Sequence, residues 1–301
     1  MAKQKKAVVS NVIRRSRGEQ IFNVFNIIIM LFMLFICAYP FWYVICASFS
    51  NADALVVSEG MLWLPAKFDL TAYNRVLQDN RIWMGYGNTL IYVFVGTFIQ
   101  IIMTVLSAYF VSRQYDVPGK KFIMIMIVFT MYFQAGMIPG FLNIQDLGLY
   151  DTRWAILLPG AISTFNMVIM RTAMLSIDAS MEESAQLDGA SQFTILFKIM
   201  VPLTKATIAV LILYYGVAHW NSWFNAMVYL QDTSKYPLQL WLRQILIMNE
   251  MSATTDGNDS PMLGESIRYA NIVVATLPIL CLYPFLQKYF VKGMMVGAVK
   301  G

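Results

Sequence analysis

Six long apolar stretches constrain the fold of this chain more than any other feature. They cover approximately residues 21–46, 88–111, 122–142, 154–174, 204–228 and 268–290. A helix needs about 20 apolar residues to cross the hydrocarbon layer of a membrane. Only 13% of the residues are charged, whereas soluble domains carry about a quarter. The sequence therefore predicts an all-α, polytopic membrane protein with six transmembrane helices.

The distribution of Lys and Arg predicts the orientation of these helices. Six spans put both termini on one side, and 15 of the 22 basic residues then lie on that side. An excess of Lys and Arg marks the cytoplasmic face, so we expect both termini inside. The basic pI of about 9 follows from this bias and requires no nucleic acid.

We expect one membrane domain over residues 1–301, because no segment between spans is large enough for a second. Its other parts are a basic cytoplasmic tail at 1–20, an external loop at 229–267 and a cytoplasmic tail at 288–301. Within the external loop, apolar residues at near-helical spacing favour a short interfacial helix over 239–250.

The cytoplasmic segment 175–203 is too polar to span a membrane and too regularly patterned for an unstructured loop. Asp178 or Ser180 can cap a helix, and Gly189 can end it in a left-handed conformation. A second amphipathic piece runs from Phe193 to Ile199. These patterns predict a short two-helix element on the cytoplasmic surface. Taken alone, they fit an ordinary amphipathic loop and a docking element equally well.

Catalytic and metal-binding motifs are missing from the sequence. It contains a single histidine, and its three cysteines show no metal or disulfide spacing. The one Gly-Lys pair, Gly119-Lys120, lacks the upstream glycine and the following Ser or Thr of a phosphate-binding loop. We therefore expect no enzyme activity and no cofactor on this chain. If ATP drives its work, a partner must bind the nucleotide.

The cytoplasmic segment resembles the EAA signature of ABC-importer permeases. Glu183-Ser184-Ala185, Gly189 and Ile199–Pro202 fall at the spacings of that signature, with Ser184 and Val201 as mild departures. The resemblance implies a coupling helix that sits in a cleft of a separate ATPase subunit. The residues implied to contact the ATPase are Glu182, Glu183, Ser184, Ala185, Asp188 and Gly189.

Further motifs resemble the carbohydrate, maltose-type branch of these permeases. They are Phe133–Pro139, Leu147–Thr152, Leu158–Gly160, Asn166–Arg171, Tyr236–Leu240 and Tyr289–Gly301. The chain looks most similar to permeases for oligosaccharides derived from pectin or alginate. The resemblance implies a type I ABC importer fold in a bacterial cytoplasmic membrane. It also implies three kinds of partner: a second permease, two ATPase subunits that bind ATP and Mg, and an extracytoplasmic solute-binding protein.

Polar and aromatic residues inside the spans are candidates for the substrate pathway. They are Gln134, Asn166, Trp220, Asn221, Trp223 and Asn225. Sugar sites combine amides with flat aromatic faces, but amides also bond between helices and tryptophans also anchor at the membrane interface. His219 fits a proton switch or, more simply, a hydrogen-bonded packing residue. Arg171 fits a pair with Glu182 or Glu183, or contact with lipid headgroups.

Two other functions remain open at this stage. A secondary transporter that needs no ATPase would require an acidic group deep in the membrane, and the six stretches contain none near their centres. An ABC permease for a solute other than a sugar would share the cytoplasmic signature. A membrane enzyme has no catalytic constellation to support it.

Overall fold

The fold is helical throughout the residues that the computed structural model describes, which are 16–58, 60–113, 119–133, 135–255 and 264–281. No β-strand occurs in these ranges. The helices are α1 Arg17–Ser48, α2 Ala52–Val57, α3 Thr71–Gln78, α4 Asn80–Ser112, α5 Lys120–Tyr132, α6 Met137–Asp146, α7 Trp154–Leu157, α8 Thr164–Leu175, α9 Ala179–Leu187, α10 Gln192–Ile195, α11 Val201–Leu203, α12 Lys205–Trp220, α13 Phe224–Tyr229, α14 Leu238–Thr255 and α15 at 264–281.

Two helices, α1 and α4, are each long and apolar enough to cross a membrane alone. The number rises to four when the bent pairs α5–α6 and Gln192–Leu203 with α12 are each counted as one span. All six predicted stretches contain helix, although 282–290 lies outside the described residues. The predicted tails lie wholly or mostly outside them too.

Three of the predicted spans are interrupted rather than continuous. The stretch 122–142 divides into α5 and α6 around Gly136, whose φ of 89° places it in a glycine conformation. The stretch 154–174 divides at the loop around Pro159 and Gly160, and 204–228 divides at 221–223. Hydropathy averages over such breaks, because a few residues of non-helical backbone barely change the apolarity of the window.

Helix α4 is the centre of the fold, and α8, α12 and α14 pack against it. The carboxylate of Asp79 caps its start by accepting the N–H of Arg81 at 2.9 Å. Towards the predicted cytoplasmic end, α4 contributes Val105 and Tyr109 to an apolar cluster with Met170 and Leu196. Towards the outer end, it meets α14 and the loop that precedes it.

Helix α1 contrasts with α4 because it hardly touches the rest of the chain. Its apolar side chains are exposed along most of its length, and only Cys46, Ala47 and Ser48 at its end are buried. Cys46 and Ala47 pack there against Leu55 and Leu62. The surface of α1 is thus left for lipid or another subunit.

The external helix predicted over 239–250 is confirmed and is longer, as α14. Its apolar side chains Leu238, Leu240 and Ile245 are buried in the clusters beside α4. This face therefore packs against protein, and the interfacial position of the helix stays a prediction. The spacing that suggested contact with lipid instead serves contact with protein, and periodicity alone cannot separate the two.

Candidate coupling site

Helix α9 begins and ends as its local sequence predicts. Of the two candidate caps, Asp178 is the one used: its carboxylate accepts the N–H of Ser180 at 3.0 Å. This hydrogen bond lowers the pKa of Asp178. At the other end, Gly189 has a φ of 78°, and the N–H of Ala190 bonds the carbonyl of Ala185 at 2.9 Å. The turn after α9 is thus fixed by glycine chemistry.

The inward face of α9 is attached to α4. Ala185 packs against the apolar cluster that includes Val105 and Met174. Beside it, the Oε1 atom of Glu182 lies 3.4 Å from the Nε atom of Arg113, the residue that follows α4. Both side chains are mostly buried, with 19% of Arg113 and 13% of Glu182 exposed. Helix α9 is therefore held by an apolar contact and an ion pair together.

The outward face of α9 is exposed. It presents Met181, Glu183, Ser184 and Leu187, followed by Asp188 and Gly189 in the turn. Leu187 is 90% exposed, an unusual environment for a leucine on a well-ordered helix. The six predicted coupling residues thus fall into two groups. Glu182 and Ala185 face the rest of the permease, and the other four are exposed.

Leu187 was missed by the sequence analysis, which placed Ser184 and Ala185 together among the residues implied to contact the ATPase. They do not share one environment, since Ser184 is exposed and Ala185 is half-buried. A helical projection from Asp178 would have revealed an apolar residue beside Glu183 and Ser184.

The second amphipathic piece is confirmed as helix and continues α9's attachment to α4. Ser191 caps α10, and the hydroxyl of Tyr109 donates to Oε1 of Gln192 at 2.8 Å. Ile195 is buried, whereas Phe193 on the same helix is exposed. A π-helical turn at Leu196–Met200 follows, and the chain bends by 82° into α12 at Thr204.

The predicted pairing of Arg171 with Glu182 or Glu183 does not form. Glu182 instead forms its ion pair with Arg113, and Glu183 is exposed. The Nε atom of Arg171 is buried with no hydrogen-bond partner in the described part of the chain. Arg113 comes from a helix end 69 positions earlier in the chain, a proximity that only tertiary packing creates.

The candidate pathway residues occupy different environments. Trp220 is buried beside Tyr86, and Asn166 is buried within α8. Asn221 is exposed and donates from Nδ2 to the carbonyl of Val217 at 3.0 Å, which closes α12. Asn225 is exposed, and Gln134 lies outside the described residues. Trp223 lies under the guanidinium of Arg243, whose Cζ atom is 3.6 Å from the ring centroid.

His219 is a hydrogen-bonded packing residue in this structure. Its Nε2 atom lies 2.9 Å from Oε1 of Gln100, and Nε2 of Gln100 donates to the carbonyl of Gly160 at 2.7 Å. Because that carbonyl requires a donor, the amide orientation is fixed and His219 must carry its proton on Nε2. The ring joins α12 to α4, where Gly96 provides the space for it.

Comparison with known proteins identifies the family. The pattern of the family described as "Binding-protein-dependent transport system inner membrane component" matches residues 70–296. The chain belongs to this family. It is the membrane permease of a binding-protein-dependent transporter, and the conclusion agrees with the helical fold and with the α9 segment.

Curated permeases from Bacillus subtilis (strain 168) resemble the chain over nearly its whole length. One is the polygalacturonan/rhamnogalacturonan transport system permease protein YtcP, 41% identical over 93% of this chain and 99% of that protein. Another is protein LplC, 37% identical over 97% of this chain and 99% of that protein.

Solved structures extend the likeness. A chain of a bacterial ABC transporter involved in the import of the acidic polysaccharide alginate superposes with a TM-score of 0.84. It is 36% identical, over 92% of this permease and 99% of that chain. The type I importer fold predicted from sequence is confirmed by this match.

The predicted outer face of the permease is organised by Asp151, whose φ is 53°. Its Oδ1 atom accepts the N–H groups of Gln231 and Asp232, each at 3.0 Å. Lys235 lies 3.4 Å from Asp151 and 3.3 Å from Asp232 in two ion pairs. The hydrogen bond from the Asp232 N–H is the largest influence that lowers the pKa of Asp151, followed by that from Gln231. The loop after α13 is thereby tied to the 150–153 turn.

The same loop is also tied to the outer half of α4. Nδ2 of Asn88 donates to the carbonyls of Ser234 and Tyr236, at 2.7 and 3.1 Å. The hydroxyl of Tyr92 donates to the carbonyl of Lys235 at 2.7 Å. Arg153 completes the set by donating to Oδ1 of Asn88 at 2.9 Å. Helix α4 therefore holds the loop at 230–237 at one end and α9 at the other.

Proposed function

We propose that this permease forms half of the translocation pathway of an ATP-driven importer for acidic oligosaccharides. Its partners are a second, related permease, two ATPase subunits that bind ATP and Mg, and an extracytoplasmic solute-binding protein. The chain lies as one domain in a bacterial cytoplasmic membrane with both termini inside. It supplies a pathway and a mechanical connection, and the ATPase supplies the chemistry.

The observation that carries this proposal is the two-sided character of α9. Its inward face is fixed to α4 by Ala185 and by the pair between Glu182 and Arg113. Its outward face offers Leu187 and Glu183 to another protein. An exposed leucine next to a carboxylate suits a cleft that has an apolar floor and a basic rim. A helix built in this way moves as a unit with the membrane domain.

The substrate class is supported by the relatives of the permease. YtcP is named for polygalacturonan and rhamnogalacturonan transport, and the superposed structure for import of the acidic polysaccharide alginate. A second alginate transporter structure, only 16% identical, was solved with a pentasaccharide-bound periplasmic protein and supports the fold alone. All three named polymers contain sugar carboxylates. We infer that the permease takes short anionic oligosaccharides.

The proposed mechanism is alternating access. ATP-driven closure of the ATPase subunits displaces α9 together with α4, because the two are joined by both contacts. The outer end of α4 moves with it, and the bound loop at 230–237 follows. Access changes from the inner to the outer side, substrate enters from the binding protein, and hydrolysis resets the assembly. The candidate pathway residues Gln134, Asn166, Trp220, Asn221, Trp223 and Asn225 stay proposals for the route.

The test is Leu187→Asp in the complete transporter. We expect loss of ATPase subunits that co-purify with this chain and at least a tenfold decrease in ATP-dependent uptake, since a charge replaces an apolar contact. Leu147→Asp is the matched control, because Leu147 is also exposed but follows α6 on the predicted outer side. Normal uptake by Leu187→Asp would refute the coupling role.

The secondary-transporter alternative is tested with the purified chain alone. In the described spanning helices, Asp and Glu occur only near the ends, so no acid is available for ion coupling deep in the membrane. Gradient-driven uptake by proteoliposomes without an ATPase would establish that alternative. ATP-driven uptake of a neutral, non-sugar solute would instead place the permease in another branch of the family.

A further inference from the structure

Arg243 and Trp223 form a stacked pair on the predicted outer side. Arg243 lies on α14, and Trp223 immediately precedes α13. The guanidinium Cζ is 3.6 Å from the centroid of the indole ring. Phe224 contacts the same ring edge-on, with centroids 5.5 Å apart and an interplanar angle of 89°. The indole is thus fixed between two neighbours and holds the guanidinium in one place.

Other outer cations with defined contacts are already occupied. Arg81 forms an ion pair with Asp79 at 2.7 Å, Lys235 pairs with Asp151 and Asp232, and Arg153 bonds Asn88. Within the ranges that the structure describes, Arg243 forms no salt bridge and no hydrogen bond. An arginine stacked on an aromatic face keeps its in-plane N–H groups directed outward. These donors match a carboxylate in two-point geometry.

We propose that Arg243 binds a sugar carboxylate of the substrate and that Trp223 positions it. This inference rests on the proposed function and deepens it, because it assigns recognition of the acidic group to two residues. The ligand class is an oligosaccharide that contains uronate units. Trp223 acts through Arg243, since the guanidinium covers the ring face it contacts. A surface arginine can also bind a lipid phosphate. The two ligands are distinguished by the effect of an Arg243 substitution on uptake: loss of a sugar contact affects only the acidic substrate, whereas loss of a lipid contact affects acidic and neutral substrates alike.

The experiment compares acidic substrates with their neutral esters. Cells whose only copy of this permease is wild type or variant are given radiolabelled trigalacturonate or an alginate trisaccharide. The methyl ester of whichever acid the wild type imports is measured in parallel. For Arg243→Gln we expect the KM for the acid to rise about tenfold, with uptake of the ester unchanged. Arg243→Lys retains charge but loses the two-point geometry, so its KM falls in between.

Two variants separate positioning from general damage. Trp223→Phe keeps a stacking face and should remain close to wild type, whereas Trp223→Ala should raise the KM for the acid with little change in maximal rate. Arg75→Gln, an exposed cation on α3, is the control and should leave both substrates unaffected.

The outcomes distinguish this inference from the function on which it rests. If wild-type cells import neither acid, acidic oligosaccharide import is refuted and the site with it. Two other outcomes leave the proposed function standing and overturn the Arg243 site, provided that wild-type cells import an acid. In one, Arg243→Gln impairs uptake of the acid and of the ester equally; in the other, it impairs uptake of neither. Equal impairment would identify Arg243 as a lipid anchor.

Discussion

The Nε atom of Arg113 lies 3.4 Å from Oε1 of Glu182, and this ion pair joins the end of α4 to α9. Gln186, on the same side of α9, donates to Glu182 at 3.4 Å. The guanidinium of Arg113 also lies over the ring of Tyr109, which itself bonds Gln192. The cytoplasmic end of α4 thus contacts both pieces of the coupling segment.

Reversing this ion pair should reveal its role in coupling. Arg113→Glu or Glu182→Arg places like charges together in a mostly buried site, so ATP-dependent uptake should fall severalfold. The double variant restores opposite charges and should recover most of the loss. A double-mutant cycle on thermal unfolding should give a coupling free energy of about 1–3 kcal/mol.

Glu183→Arg is the control for that cycle. Its carboxylate is exposed and has no salt-bridge partner in the described chain, so Arg113→Glu should not rescue it. Equal rescue of Glu182→Arg and Glu183→Arg would mean that net charge matters and the specific pair does not.

Gly96→Ala should destabilise the contact between α4 and α12. A Cβ atom at this position would lie 2.3 Å from Nε2 of His219, and the ring is held by Gln100. We expect a loss of about 1–3 kcal/mol, measured as a lower Tm of the purified permease.

Gly87→Ala, on the same helix, is the matched control. A Cβ there meets nothing within 4 Å, so alanine should stabilise the helix by about 0.5–1 kcal/mol. Combining Gly96→Ala with His219→Ala should relieve the clash. A Gly96→Ala protein with an unchanged Tm would contradict the close approach.

Gly189 should tolerate Asn better than Ala. Its φ of 78° costs an ordinary residue about 1–2 kcal/mol, and Asn reduces this cost because it adopts the left-handed region more readily. No atom of this chain lies within 4 Å of a Cβ there, so the effect within the chain itself is conformational. Uptake should therefore decrease in the order Gly, Asn, Ala.

Gly119→Ala serves as the comparison, since Gly119 has a similar φ of 81° and equally open surroundings. It precedes α5 and lies outside the coupling segment. If both alanine variants reduce co-purification of the ATPase equally, the turn at Gly189 has no special part in coupling.

The outer loop should loosen at acid pH because of Asp151. Its pKa in the folded protein is lowered, so its contribution to stability is complete above the ordinary carboxyl pKa of about 3.9. That contribution is lost as the pH falls through the lower, folded-state pKa. Hydrogen exchange at the amides of Gln231 and Asp232 should accelerate in this window, beyond the intrinsic pH effect.

Asp151→Asn keeps the shape but removes the charge. The loop should lose roughly 1 kcal/mol of local stability at neutral pH, and the acid-dependent loosening should diminish. Asp146→Asn changes an exposed carboxylate on the same side and should have no such effect. A pH response that persists unchanged in Asp151→Asn would assign it to another group.

Features set by local sequence were predictable, and those set by distant contacts were not. Asp178 and Gly189 bound α9 because capping and left-handed turns depend on a few neighbouring residues. The pairs Arg113–Glu182 and His219–Gln100 depend on how helices pack, and the second joins residues 119 positions apart. No local pattern encodes such partners.

The spans show the same division. The apolar stretches are where the sequence predicts them, because transfer to lipid depends on composition. Their breaks depend on tertiary contacts: the non-helical carbonyl of Gly160, for example, is satisfied by Gln100. Buried backbone can leave the helix where a neighbour supplies that hydrogen bond, and the neighbour is invisible in the local sequence.

The continuity of α4 has a geometrical consequence. Its 33 residues at about 1.5 Å each give a rod of roughly 50 Å, and the described helix has no proline inside it. A tilt of about 5° about its Ser112 end displaces Asn88 by roughly 3 Å, about the full length of the hydrogen bonds that Asn88 donates to the loop. The loop at 230–237 must therefore travel with the rod or break these hydrogen bonds, so under the proposed mechanism a small rotation at the Ser112 end of α4 is transmitted to the opposite end of the helix.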